Sequence, residues 1–199
     1  RVWLTYLGHG VQGTEGGILG FDFRQDKAYR FDLILEMAEK YGIYLQVPFM
    51  AVHYMNYESP NHDEEFRSWD SSPYNVQNGG YLTKPEQFWT DARAKEDTKK
   101  LYRYYVARWG YSRNIQSWEI MNEIGHAAMN EDGTDYDEQV AKAWAQEIGG
   151  YMHAIDPYDH LVSVSSALLF IDQVFSAEAI DFASIHSYVW GSAYATSAA

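Results

Sequence analysis

Four runs of apolar and β-branched residues, "IYLQVPFM", "IQSWEIM", "HLVSVSS" and "FASIHSYV", recur along the chain with helix-patterned segments between them. That alternation limits the fold more than any other feature. Near-continuous strands of this type are buried on both faces, and strands separated by helices pair in parallel through right-handed crossovers. Over residues 26–41, Phe31, Ile34, Leu35, Ala38 and Tyr41 fall at helical spacing, and Gly42 follows as a left-handed cap. Pro85 suits the first turn of a short helix. Further helices are predicted over 91–109, ending at Gly110, and over 137–154, ending at "DP". The polar stretch 56–84, with "SSPYNVQNGG" inside it, predicts a long functional loop. The opening "RVWLTYL" is already a β-type run, so the chain is expected to enter in mid-fold.

Two architectures satisfy the pattern, an open doubly wound sheet and a (β/α)8 barrel. "GTEGGILG" lacks the Lys-Ser/Thr of a phosphate loop and opens no clear helix, which favours the barrel. With 199 residues, 46% of them hydrophobic, the chain has the material of one domain or part of one. A net charge of −13 argues against nucleic acid and anionic membrane surfaces as partners. No apolar run approaches the ~18 residues of a membrane span. The absence of cysteine removes disulfides and thiol chemistry. Aromatics reach 17%, with 7 Trp and 17 Tyr, which suggests a surface on which flat ligands stack.

In a barrel the chemistry gathers at the C-terminal ends of the strands. Those ends carry His53 in "VHYMN", Asn122 and Glu123 in "SWEIMNE", and His186 and Tyr188 in "IHSYVW". An acid, an amide, two imidazoles and a phenol at successive strand mouths form a candidate site. Each has a plainer reading: a helix cap for Asn122-Glu123, a loop-edge histidine for His53, barrel-top packing for His186 and Tyr188. "NEDGTDYDEQ" misplaces its glycine for a calcium loop and reads instead as a solvated loop running into a capped helix. "HDEEF" has no second histidine at metal-site spacing, so no metal and no cofactor are expected.

These residues carry a resemblance. "WEIMNE" resembles the Asn-Glu signature that ends the fourth strand of the clan A glycoside hydrolases, (β/α)8 enzymes that cleave β-glycosidic bonds with retention. "IHSY" is similar to the His-x-Tyr of the sixth strand in family 5 of that clan, the cellulase and mannanase superfamily. Arg1 in "RVWL" resembles the arginine of the second strand, and His53 the histidine of the third. The resemblance implies that residues 1–199 are a partial (β/α)8 catalytic domain, about five of eight strands, spanning the second to the sixth. It assigns Glu123 as general acid and base and Asn122 as the ligand of the sugar 2-hydroxyl. His186 and Tyr188 would shape the central subsite, and Arg1 would hold the nucleophile ionised. Trp190 either stacks on a sugar or covers the barrel rim.

The pattern breaks in one place. The clan's nucleophile is a second Glu at the end of the seventh strand, and no counterpart stands before Ala199. Retention needs two carboxyls about 5–5.5 Å apart, so this chain alone is expected to be an inactive fragment, with the rest of the barrel supplied by further sequence. The expected function is retaining hydrolysis of a β-linked polysaccharide or oligosaccharide, β-1,4-glucan or β-mannan, by a secreted or periplasmic enzyme. The alternatives are a carbohydrate-binding barrel without catalysis and an unrelated metal-dependent hydrolase.

Overall fold

A computed structural model describes residues 1–4, 17–20, 24–50, 55, 69–126, 137–166 and 172–186. Among these residues the helices are α1 (Gln25–Tyr41), α2 (Ala92–Trp109), α3 (Glu138–Ile155) and the short α4 (Asp172–Phe175). The strands are β1 (Leu45–Pro48), β2 (Ile115–Glu119), β3 (Leu161–Ser166) and β4 (Phe182–Ile185). They form one parallel sheet in sequence order, β1-β2-β3-β4. Residues 1–4 lie beside β1 and run with it, Val2 N–H donating to Gln46 O at 3.1 Å and Leu4 N–H to Pro48 O at 3.0 Å. With α1 leading back to β1, that edge segment is a fifth parallel extended piece, as an incomplete (β/α)8 barrel requires.

The helix boundaries follow local chemistry. Asp91 caps α2 by accepting from Ala94 N–H at 2.9 Å, and Asp137 caps α3 by accepting from Gln139 N–H at 2.9 Å. α1 stops where Gly42, at φ 64°, turns left-handed and sends its N–H back to Ala38 O and Glu39 O. α3 leans closely on the approach to β4: a Cβ on Gly149 would sit 2.7 Å from Ala179 O, so only glycine fits there. The sequence expectation of a loop over 56–84 holds only loosely for its described part. Residues 69–84 contain two single 3₁₀ turns, Trp69–Ser71 and Val76–Asn78, and bury Trp69, Tyr74 and Leu82.

The sheet has two unlike faces because side chains alternate along a strand. Val47, Trp118, Val162 and Val164 point to the helices and are buried. There Phe49 meets Tyr102 edge-on at 4.7 Å and Trp118 at 5.0 Å, and Tyr105 stacks on Trp109 at 5.5 Å. The buried indole N–H groups of Trp118 and Trp109 donate to Asp156 at 2.8 Å and Asp32 at 2.7 Å, so neither burial leaves a donor stranded. The opposite face carries Gln46, Ser117, Glu119, Ser163, Ser165 and Ser184. The expectation of strands buried on both faces holds for β2 and β3, whose inner-facing Ser117, Glu119, Ser163 and Ser165 are fully buried, but these inner positions are polar rather than apolar. The tryptophans serve packing, since Trp69, Trp89, Trp109, Trp118 and Trp144 are all core residues, while Tyr29, Tyr41, Tyr44, Tyr111 and Tyr158 are exposed.

Candidate active site

β2 does not stop at its last ladder pair. Ile120 N–H donates to Ser163 O at 2.9 Å and Asn122 N–H to Met50 O at 2.8 Å, so the chain stays wedged between its neighbours up to Asn122. Glu123 then turns out with φ at 51°, a left-handed conformation that costs a non-glycine residue on the order of 1 kcal/mol or more. Its backbone N–H is held by Ser165 Oγ at 2.9 Å. The turn swings the Glu123 carboxylate to the C-terminal rim, where Oε1 lies 2.8 Å from His186 Nδ1. His186 is fixed in turn by its own N–H, which donates to Ser166 O at 2.8 Å. Both side chains keep partial access to solvent, 14% for Glu123 and 17% for His186.

Beneath this pair sits a network centred on Arg1. Its Nε donates to Glu119 Oε2 at 2.9 Å, and its Nη2 reaches Glu119 Oε1, Asn122 Oδ1 at 2.5 Å and Ser165 Oγ at 3.1 Å. Nη1 lies 2.7 Å from His186 Nε2. Ser165 Oγ donates to Glu119 Oε1 at 2.5 Å. Glu119 is fully buried, and burial pushes its carboxyl above the ordinary carboxylate range while Arg1, Ser165 and His186 pull it back. Arg1 resolves the orientation of the Asn122 amide: Arg1 only donates, so the oxygen faces it and Nδ2 faces away. That Nδ2 is buried and has no partner among the described residues. A buried donor left open beside a rim carboxylate is a place for a ligand oxygen.

Of the residues singled out from sequence, Arg1, Asn122, Glu123 and His186 thus converge on one rim. His53, Tyr188 and Trp190 lie outside the described residues. Arg1, which the resemblance assigns to a nucleophile elsewhere, is engaged bidentately by Glu119 within the chain. Glu119 and Ser165 were given no role by the sequence. Their signal was present in an acid flanked by apolar residues in "SWEIM" and in the serine alternation of "SVSS". Among the described residues no helix is long and apolar enough to cross a membrane, and no group of three His, Cys, Asp or Glu side chains is placed to hold a metal.

The fold and rim define a partial parallel α/β barrel with an acid at a strand mouth. No family model matches the chain. Its sequence is similar to two curated proteins named probable mannan endo-1,4-beta-mannosidase F. The one from Aspergillus oryzae is 24% identical over 155 residues, covering 77% of this chain and 28% of that protein. The one from Aspergillus flavus is 25% identical over 141 residues, covering 70% and 25%. The chain therefore spans about a quarter of the length of the curated relatives it matches. Among solved structures, endo-glycoceramidase II from Rhodococcus sp. in a cellobiose-like imidazole complex superposes with a TM-score of 0.51 at 14% identity, over 72% of this chain and 36% of that one. Its cellobiose-like isofagomine complex gives 0.50 at 13% identity, over 72% and 38%. At such identities the structural likeness speaks for the fold alone, which is that of part of a (β/α)8 barrel. Together with the sequence likeness it supports the resemblance to family 5 of the clan A glycoside hydrolases.

Proposed function

We propose that this chain is the acid/base-bearing part of a retaining β-glycoside hydrolase that cuts a β-1,4-linked mannan or glucan. One observation carries the reading: the Glu123–His186 pair on the rim stands next to the open Nδ2 donor of buried Asn122. In this reading Glu123 delivers a proton to the departing glycosidic oxygen and then, as the carboxylate, takes a proton from the incoming water. Asn122 Nδ2 donates to the sugar 2-hydroxyl, a bond that strengthens as the oxocarbenium-like transition state forms. His186 fixes the direction of the Glu123 carboxylate. His53, Tyr188 and Trp190 are assigned to the flanking subsites by resemblance. Glu119 is no candidate for the nucleophile, because it is fully buried and both its oxygens are engaged by Arg1.

Mannan is favoured over glucan by the names of the sequence relatives, and glucan is kept by the cellobiose-like ligands of the structural neighbour. A polymer too large to cross a membrane implies an enzyme exported from the cell. The test is Glu123→Gln in the full-length protein. Turnover of β-mannan is expected to fall about 10²–10⁴-fold, with a much smaller loss on aryl glycosides whose leaving groups need no proton. Unchanged turnover of the polymer would remove Glu123 from the mechanism. Mannan binding by the unmutated protein without release of new chain ends would favour the non-catalytic carbohydrate-binding barrel instead.

A further inference from the structure

We propose that Glu119 is a positioning residue for the acid Glu123, acting through Arg1 and His186 to hold the His186 proton on Nδ1; this rests on Glu123 being the acid. The chain of contacts is continuous. Glu119 takes Arg1 in a two-pronged grip through Nε and Nη2, which leaves Nη1 aimed at His186 Nε2 at 2.7 Å. A guanidinium has no lone pair to offer, so Nε2 accepts and the imidazole is neutral with its hydrogen on Nδ1. That hydrogen points at Glu123 Oε1, 2.8 Å away. Ser165 ties the same network to the backbone, donating to Glu119 and accepting from the strained Glu123 N–H.

Position and charge have separate consequences. Arg1 lies within reach of the acid's partner, and a lone cation there would favour the ionised form of Glu123. Glu119 offsets that charge from a fully buried position where water cannot. The charged and titratable groups brought to this rim by the described residues are Arg1 beside β1, Glu119 and Glu123 from β2, and His186 after β4. β3 contributes the neutral Ser165. Without the Glu119 charge, Glu123 gives up its proton at lower pH and the enzyme runs out of acid sooner as pH rises.

Two measurements on the full-length protein test this. Nitrogen-15 NMR of histidine-labelled protein, with the His186 signal assigned by its loss in His186→Asn, is expected to show the Nδ1–H neutral form. An Nε2–H form overturns the proposal whether or not any variant folds. The second is the pH–rate profile on unactivated polymer. Glu119→Gln is expected to move the basic limb down by about one pH unit, while Glu119→Asp, which keeps the charge, loses rate but leaves the limb in place. A rate loss in Glu119→Gln with an unmoved limb makes Glu119 structural only and overturns the proposal. Failure of the glycosidase reading is separately visible, as Glu123→Gln would then leave turnover unchanged whatever the His186 form.

Discussion

The two faces of the sheet solve opposite problems with strands that differ little in composition. On the helix side, Val47, Trp118, Val162 and Val164 bury apolar area against α2 and α3, and the indole N–H groups of Trp118 and Trp109 are satisfied by the carboxylates of Asp156 and Asp32. On the inner side, Ser163, Ser165 and Ser184 give up bulk, and Gln46, Glu119 and Arg1 occupy the room. Gln46 Nε2 reaches Ser184 Oγ at 3.1 Å, and Glu119 holds Arg1. The lesson is that stability sits on one face and chemistry on the other, separated by a single residue of register.

That separation can be broken from either side. The largest stability effect is expected for Trp118→Ala, which removes a fully buried indole and orphans its hydrogen bond to Asp156. The loss should be about 3–5 kcal/mol in denaturant unfolding. A sharper comparison uses neighbours on β3. Val164→Ala should cost about 2 kcal/mol of stability and leave the pH–rate profile unchanged. Ser165→Ala should cost about 1–3 kcal/mol but depress turnover as well, because the Glu123 N–H and a Glu119 oxygen both lose their partner. Equal effects of the two on turnover would contradict the division of faces. The smallest effect is expected outside the sheet. Glu147 on α3 pairs with Lys99 at 2.7 Å and Lys95 at 2.9 Å on α2, and these contacts hold its carboxyl below the usual range. Its contribution is therefore present at neutral pH and disappears as pH falls through that lowered value. Glu147→Gln should cost about 0.5 kcal/mol at pH 7, and thermal midpoints of parent and variant should converge in acid.

Much of this was readable from the chain. Apolar periodicity placed α1, α2 and α3 to within a residue or so, because Asp91, Asp137 and Gly42 are strong local signals. The Asn-Glu pair and His186 were readable because acids and imidazoles at strand mouths have few packing reasons to be there. Glu119 was not, although it lies four residues before Glu123 in the same quoted run. Its role depends on Arg1, more than a hundred residues away in sequence, and on Ser165 across the sheet. No local pattern reports such a pairing. The polarity of the inner face was hidden for a related reason. "HLVSVSS" alternates with period two, yet serine is small enough to pass as a buried strand residue, and only the ladder register shows that Ser163 and Ser165 share a face with Glu119. The aromatic excess was ambiguous by itself, since tryptophans that suit sugar stacking equally suit a helix–sheet core, where Trp109, Trp118 and Trp144 lie.

The most direct test of the central claim is a crystal structure of the full-length protein with an isofagomine-type inhibitor bound. The ring is expected at the C-terminal rim, with a Glu123 carboxylate oxygen within about 3 Å of an inhibitor heteroatom and Asn122 Nδ2 donating to the sugar. An inhibitor bound away from this rim, or at the rim with Glu123 turned from it, would contradict the assignment of Glu123 as the acid.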